Sequence, residues 1–182
     1  MKIILGLIGK LAAGKGTVAK YLAERHQAEI LMFSQPLRDV LTRFYLPQTR
    51  NNMQAVSQGL REALGQDALA RVMAEDAKKS TANIIAIDGV RRPMDIKYLK
   101  ELPGFILVKI ETEQKIRYQR ILSRGQNPGE AQITFEEFQT QEAAEAESLI
   151  SKVAKEAKFF LDNNGSLDNL YHQVEEILNK IA

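Results

Sequence analysis

Apolar residues alternate along the chain between two patterns. Residues 2–8 form a short isoleucine- and leucine-rich run that leads into glycines, which predicts a strand buried on both faces. From Lys15 the period changes, and Val18, Tyr21 and Leu22 at i, i+3 and i+4 predict a helix. Residues 29–33 read as a second strand. Leu37, Val40, Leu41 and Phe44 then recur at helical spacing, with Pro36 suited to a first turn and Pro47 just past the end. Residues 51–79 predict two helices broken near Gly65, the second with Leu69, Val72 and Met73 on one face. Residues 83–87 are a third apolar strand, ending in Asp88-Gly89, and Pro93 opens a short helix. After a fourth strand at 105–110, Thr112 is positioned to cap a helix that carries Ile116 and runs to Arg124. Thr134 with Glu137 three residues on predicts a capping box for a helix from Phe135 to about Ser151. A fifth strand at 158–161 precedes a last helix that buries Leu167, Leu170, Tyr171, Val174, Ile177, Leu178 and Ile181.

Short, uniformly apolar strands separated by helices build a parallel sheet covered on both sides. The expectation is a three-layer α/β/α fold with a five-stranded parallel sheet, in one domain over residues 1–182. Cysteine is absent, which excludes disulfides, thiolate metal sites and a cysteine nucleophile. His26 and His172 stand far apart and give no metal-ligand spacing. The longest apolar run is far short of the roughly 20 residues a membrane span needs, and no signal-peptide pattern opens the chain. A soluble cytoplasmic protein without a membrane partner is expected, as monomer or homodimer.

The net charge of +2 conceals an asymmetry. Residues 125–182 hold four lysines, no arginine and eleven carboxylates, a balance of −7, so the first 124 residues carry +9 and all 11 arginines. Such an excess points to an anionic ligand. The basic residues are dispersed and not interleaved with aromatics, and charge alone leaves a nucleic acid open.

The candidate chemistry centres on Gly9-Lys10-Leu11-Ala12-Ala13-Gly14-Lys15-Gly16-Thr17. This is G-x-x-x-x-G-K between a strand and a helix, the context in which the pattern forms a phosphate-binding loop. Its glycines allow backbone N–H groups to wrap an anion, and the helix adds its unpaired N–H groups and positive dipole end. Lys15 supplies a mobile cation for the β- and γ-phosphates of a nucleotide. The hydroxyl residue follows one position later than in the commonest version, at Thr17. Thr17 is therefore expected on the α-phosphate, with Mg²⁺ held mostly through water.

This Gly-Lys-Gly-Thr form resembles the loop of the nucleoside monophosphate kinases, adenylate kinase among them, with Ala12 in place of that family's middle glycine. The resemblance covers most of the chain. It implies an acceptor-binding helical region at about 34–80, opened by Phe33-Ser34-Gln35-Pro36-Leu37-Arg38, with Ser34 and Arg38 toward the acceptor phosphate. Arg61 is a further candidate there, and equally a surface residue. Asp88-Gly89-Val90-Arg91-Arg92 is similar to the family's Asp-Gly-x-x-Arg motif. It implies that Asp88 orients the Mg²⁺ water shell and that Arg91 or Arg92 holds the acceptor phosphate. Arg120 and Arg124 match the R-x-x-x-R that begins the lid, here about 120–140, and i, i+4 spacing puts both on one helix face. The second half of that lid lacks arginine and carries Glu136, Glu137, Glu142, Glu145 and Glu147, expected as a solvated face. The ending looks like that of dephospho-coenzyme A kinases, which implies backbone contacts from Asn164 or Gly165 to the adenine ring.

The expected activity is transfer of the γ-phosphoryl group of ATP, with Mg²⁺, to a nucleoside or deoxynucleoside monophosphate. The expected partners are a nucleotide donor and a nucleotide-like acceptor, with no nucleic acid polymer. The alternatives are a dephospho-coenzyme A kinase and a P-loop ATPase or nucleotide-dependent switch.

Overall fold

The computed structural model describes residues 2–124, 132–144 and 147–181. Five strands, β1 (Ile3–Ile8), β2 (Glu29–Met32), β3 (Ile84–Asp88), β4 (Phe105–Glu111) and β5 (Phe159–Asp162), pair in the order β2-β3-β1-β4-β5. Every pairing is parallel. Helices α1 (Lys15–His26), α2 (Gln35–Arg43), α3 (Arg50–Leu64), α4 (Ala68–Lys79), α5 (Gln114–Arg124), α6 (Phe135–Ala144), α7 (Glu147–Ala154) and α8 (Leu167–Ile181) make the connections, with two short 3₁₀ turns at Pro93–Ile96 and Leu99–Glu101.

The period of two along β1 divides the core into two layers. Ile4 and Ile8 face one way, with Ile85 and Ile87 of β3, Leu69 and Met73 of α4, and Val153 of α7. Leu5 and Leu7 face the other way, with Val108 of β4, Val18 and Leu22 of α1, and Val174 and Ile177 of α8. Helices on both faces explain why the inner strands read as continuous apolar runs. The Thr134–Glu137 capping box forms: the Glu137 N–H donates to Thr134 Oγ1 at 3.2 Å and the Thr134 N–H to Glu137 Oε2 at 2.8 Å.

Several sequence expectations need correction. Strand β2 lies at the sheet edge, with Ile30 and Met32 each 37% exposed, because no further strand covers it. Phe44 falls beyond α2 and is exposed, while Leu37 and Leu41 are the residues that helix buries. Leu167 is likewise exposed at the start of α8. Where one helix was expected over 135–151 there are two, α6 and α7, with residues 145–146 outside the described set. Each packs on a different neighbour: Phe138 lies 5.7 Å from the Tyr118 ring of α5, whereas Val153 enters the sheet core.

Strand register brings the carboxyl ends together. Leu7 stands beside Asp88, Ile8 beside Lys109, and Glu111 beside Asp162. In open parallel sheets ligands bind beyond these ends.

Candidate active site

The turn from β1 into α1 is shaped by close approaches. A Cβ on Gly9 would lie 2.6 Å from the Ile110 carbonyl oxygen, so only glycine lets the turn leave this close to β4. Gly14 sits at φ 106°, and a Cβ there would overlap the Asn163 amide. Ala12 adopts φ 59°, so the loop retains a left-handed residue where the resembled family has glycine. That costs an alanine roughly 1–2 kcal/mol.

The surrounding hydrogen bonds keep the loop in this shape. Asn163 Nδ2 and Thr112 Oγ1 both donate to the Ala13 carbonyl, at 2.8 and 2.9 Å. Arg117 Nη1 donates to the Leu11 carbonyl at 3.3 Å, and Arg120 Nη1 reaches that of Ala12 at 3.5 Å. With three successive carbonyls engaged by these side chains, the unpaired first-turn N–H groups of α1 remain for an anion. The Lys15 ammonium folds across the loop, donating to the carbonyls of Gly9 (2.8 Å) and Lys10 (3.0 Å).

Asp88 closes this wall. Its Oδ1 is buried and accepts no hydrogen bond among the described residues. An orphaned carboxylate oxygen beside a phosphate loop fits a water of a Mg²⁺ shell. No cluster of three metal-ligating side chains occurs among the described residues, so such a cation would draw its other ligands from water and phosphate. Arg120 Nη2 donates to the Asn163 carbonyl at 2.9 Å and to its side-chain oxygen at 3.2 Å. Burial lowers the pKa of this guanidinium from its ordinary value. The Arg124 side chain lies outside the described residues.

Two expectations change here. Thr112 gives its hydroxyl to the loop, and α5 begins two residues later. Glu142 is buried, not solvated, and is ion-paired with the equally buried Arg117. Burial pushes the Glu142 carboxyl up, but the Arg117 guanidinium and the Gln114 amide outweigh it and hold the group below the usual carboxylate range. Asn164 Oδ1 accepts from the Glu113 N–H at 2.7 Å, and neither Asn164 nor Gly165 lines the cleft described below. The neighbouring Asn163 is the one against the loop. Its position in sequence, one residue past a strand, carries no sign of the 150-residue reach to Ala13.

The opposite wall is built from side chains. Arg38 is half-buried and donates to Gln48 Oε1 at 2.7 Å. Arg61, equally a site or a surface residue on sequence, has a side chain only 10% exposed and lies 3.8 Å from Asp95 Oδ1. Burial, and then the charge of Arg92, pull its pKa down. Asp95, which sequence reasoning missed, is buried, and its Oδ2 accepts the backbone N–H groups of Arg91 (3.0 Å) and Arg92 (2.9 Å). Both arginine side chains are exposed, and both line the cleft described below. Arg50, at the start of α3, was also missed.

One open cleft of about 3070 Å³ joins the two walls. Ala12, Gly14, Lys15, Gly16, Thr17, Asp88 and Arg120 line one side, and Ser34, Arg38, Arg50, Arg61, Arg91 and Arg92 the other. Gly9 and Ala13, although part of the loop, do not line the cleft. Single-ligand pockets hold roughly 300–1,000 Å³, so there is room for two ligands. No helix among the described residues is long and apolar enough to cross a membrane.

Known proteins share this fold. A UPF0200 protein of Methanoregula boonei is 27% identical over 179 residues, spanning 98% of this chain and 97% of its own. A shikimate kinase from Acinetobacter baumannii, solved with shikimate, superposes with a TM-score of 0.60 at 19% identity, over 99% of this chain and 95% of that one. A gluconokinase from Sinorhizobium meliloti 1021 does so with a TM-score of 0.62 at 14% identity, over 100% and 93%. At such identities the structural likeness shows the fold, a three-layer α/β/α P-loop fold shared with these kinases. The model of the AAA domain matches residues 5–149. The chain thus belongs to the AAA domain family of P-loop NTPases.

Proposed function

We propose that this protein transfers the γ-phosphoryl group of ATP to a nucleoside or deoxynucleoside monophosphate. The observation that carries the reading is the shared cleft, with a phosphate loop on one wall and an arginine-rich wall facing it. A hydrolase needs only the first wall; a second anionic substrate accounts for the other.

Catalysis is positioning and charge neutralisation. The first-turn N–H groups of α1 hold the donor phosphates, and Lys15 exchanges the Gly9 and Lys10 carbonyls for β- and γ-oxygens. Mg²⁺, when bound, neutralises charge on the β- and γ-phosphates, and Asp88 Oδ1 orients its water shell. Arg38, Arg61 and Arg92 hold the acceptor phosphate, one oxygen of which attacks the γ-phosphorus as the bond to the ADP oxygen breaks. Arg120 stabilises the spread negative charge. The acceptor oxygen is already ionised, so no strong general base is required.

The test is ADP release from ATP·Mg²⁺, without acceptor and then with nucleoside and deoxynucleoside monophosphates, dephospho-coenzyme A, shikimate and gluconate. Release that depends on a nucleoside monophosphate is expected. Equal release without acceptor would overturn the reading in favour of an ATPase, and preference for another acceptor would replace the substrate class.

A further inference from the structure

Helix α3 has an unusual division of labour. Met53, Val56 and Leu60 pack on the core, yet no residue of the helix is fully buried. Toward the cleft, beside Met53, Gln58 and Glu62, lie Asn51, Gln54, Ser57 and Arg61, a stripe of amides and a hydroxyl ending in a cation. The Arg61 end is anchored: its Nε donates to Ser57 Oγ at 3.3 Å, its Nη1 to the Gln66 carbonyl at 2.9 Å, and Asp95 lies beside it. The Asn51 and Gln54 amides make no hydrogen bond to protein among the described residues. Gln58 differs, because its amide is engaged with Glu62 at 2.8 Å.

Gln54 precedes Arg61 by seven residues, or about 10 Å along the helix axis. That span is comparable to the separation of the phosphate and the far edge of the base in a nucleoside monophosphate. An amide offers a donor beside an acceptor, which is complementary to a base edge and has no counterpart need in a sugar phosphate. We infer that Gln54, seconded by Asn51, determines acceptor specificity by hydrogen-bonding the base edge of a nucleoside monophosphate whose phosphate is held at Arg61. This rests on the phosphotransferase reading above and adds to it the part of the acceptor that is recognised.

The experiment titrates nucleoside monophosphates and ribose 5-phosphate into the protein holding a non-hydrolysable ATP analogue, for the wild type and Gln54→Leu. Ribose 5-phosphate retains the anion and sugar and lacks the base. In the wild type at least one monophosphate should bind about 100-fold more tightly than ribose 5-phosphate. Gln54→Leu should remove about 10- to 100-fold of that preference, the discrimination of a bidentate amide–base pair, and leave ribose 5-phosphate affinity unchanged. Equal weakening of both ligands, as a merely structural role gives, would overturn the inference, as would an unchanged preference. A wild type that binds no monophosphate better than ribose 5-phosphate would overturn the nucleotide-acceptor reading itself. Gln54 is exposed, so the variant should retain the wild-type melting temperature, and Asn51→Leu provides a second variant of the same sign.

Discussion

The two walls of the cleft are made of different material. The phosphate-loop wall is main chain, with its carbonyls held by Asn163, Thr112, Arg117 and Arg120. The facing wall is a set of arginine side chains, three of them exposed, and α3 within it has no buried residue. A main-chain cradle works only in one shape, so it must be fixed before a ligand arrives. Long side chains can reach a ligand after it enters. Few buried contacts also lower the energy at which a helix such as α3 opens locally.

The sharpest way to break this contrast is at the lysine of the phosphate loop. Lys15→Ala should lower turnover by about 10³-fold, as removal of a cation aimed at transition-state charge does, with the fold intact by circular dichroism. Retained turnover would remove the loop from the mechanism. Next is the buried pair behind the loop. Glu142→Gln leaves Arg117 uncompensated and should cost about 3 kcal/mol of unfolding free energy, the lower end for such pairs because glutamine still accepts a hydrogen bond. The Glu142 carboxyl is depressed in the folded protein. Its contribution is therefore present above the ordinary carboxylate range and lost as pH falls through the folded value. Denaturant titrations across acid pH should accordingly show a shallower loss for the variant than for the wild type.

On the other wall, Arg61→Ala should raise the acceptor KM about 10- to 100-fold, the worth of a charged hydrogen bond, and leave ATP affinity unchanged. Equal losses on both substrates would mean that the walls are not independent. The smallest effect is expected at Ala12. Glycine there relieves a left-handed alanine but is more flexible when unfolded, so Ala12→Gly should add no more than about 1 kcal/mol by chemical denaturation. A loss of stability would show that the loop's shape is not the strained one.

The phosphate loop was legible because its glycines, lysine and threonine are contiguous and flanked by a strand and a helix. Asp88 was legible because the end of β3 must meet the end of β1 in a parallel sheet. The role of Asp95 was not, since its partners are the backbone N–H groups of Arg91 and Arg92, which no residue identity encodes. Glu142 misled for a related reason. A glutamate among glutamates reads as solvated until the buried guanidinium of Arg117, 25 residues earlier, is brought against it.

The sequence by itself determined the layered architecture and the donor loop, because both follow from interactions between near neighbours: apolar period, capping and the turn chemistry of consecutive residues. Only the tertiary structure decided which of the scattered arginines share a cleft, that Arg117 is neutralised while Arg120 faces it, and that Asn163 rather than Asn164 braces the loop. These are contacts between strand ends and helix faces distant in the chain, and their partners are set by sheet order and register, which local spacing does not carry.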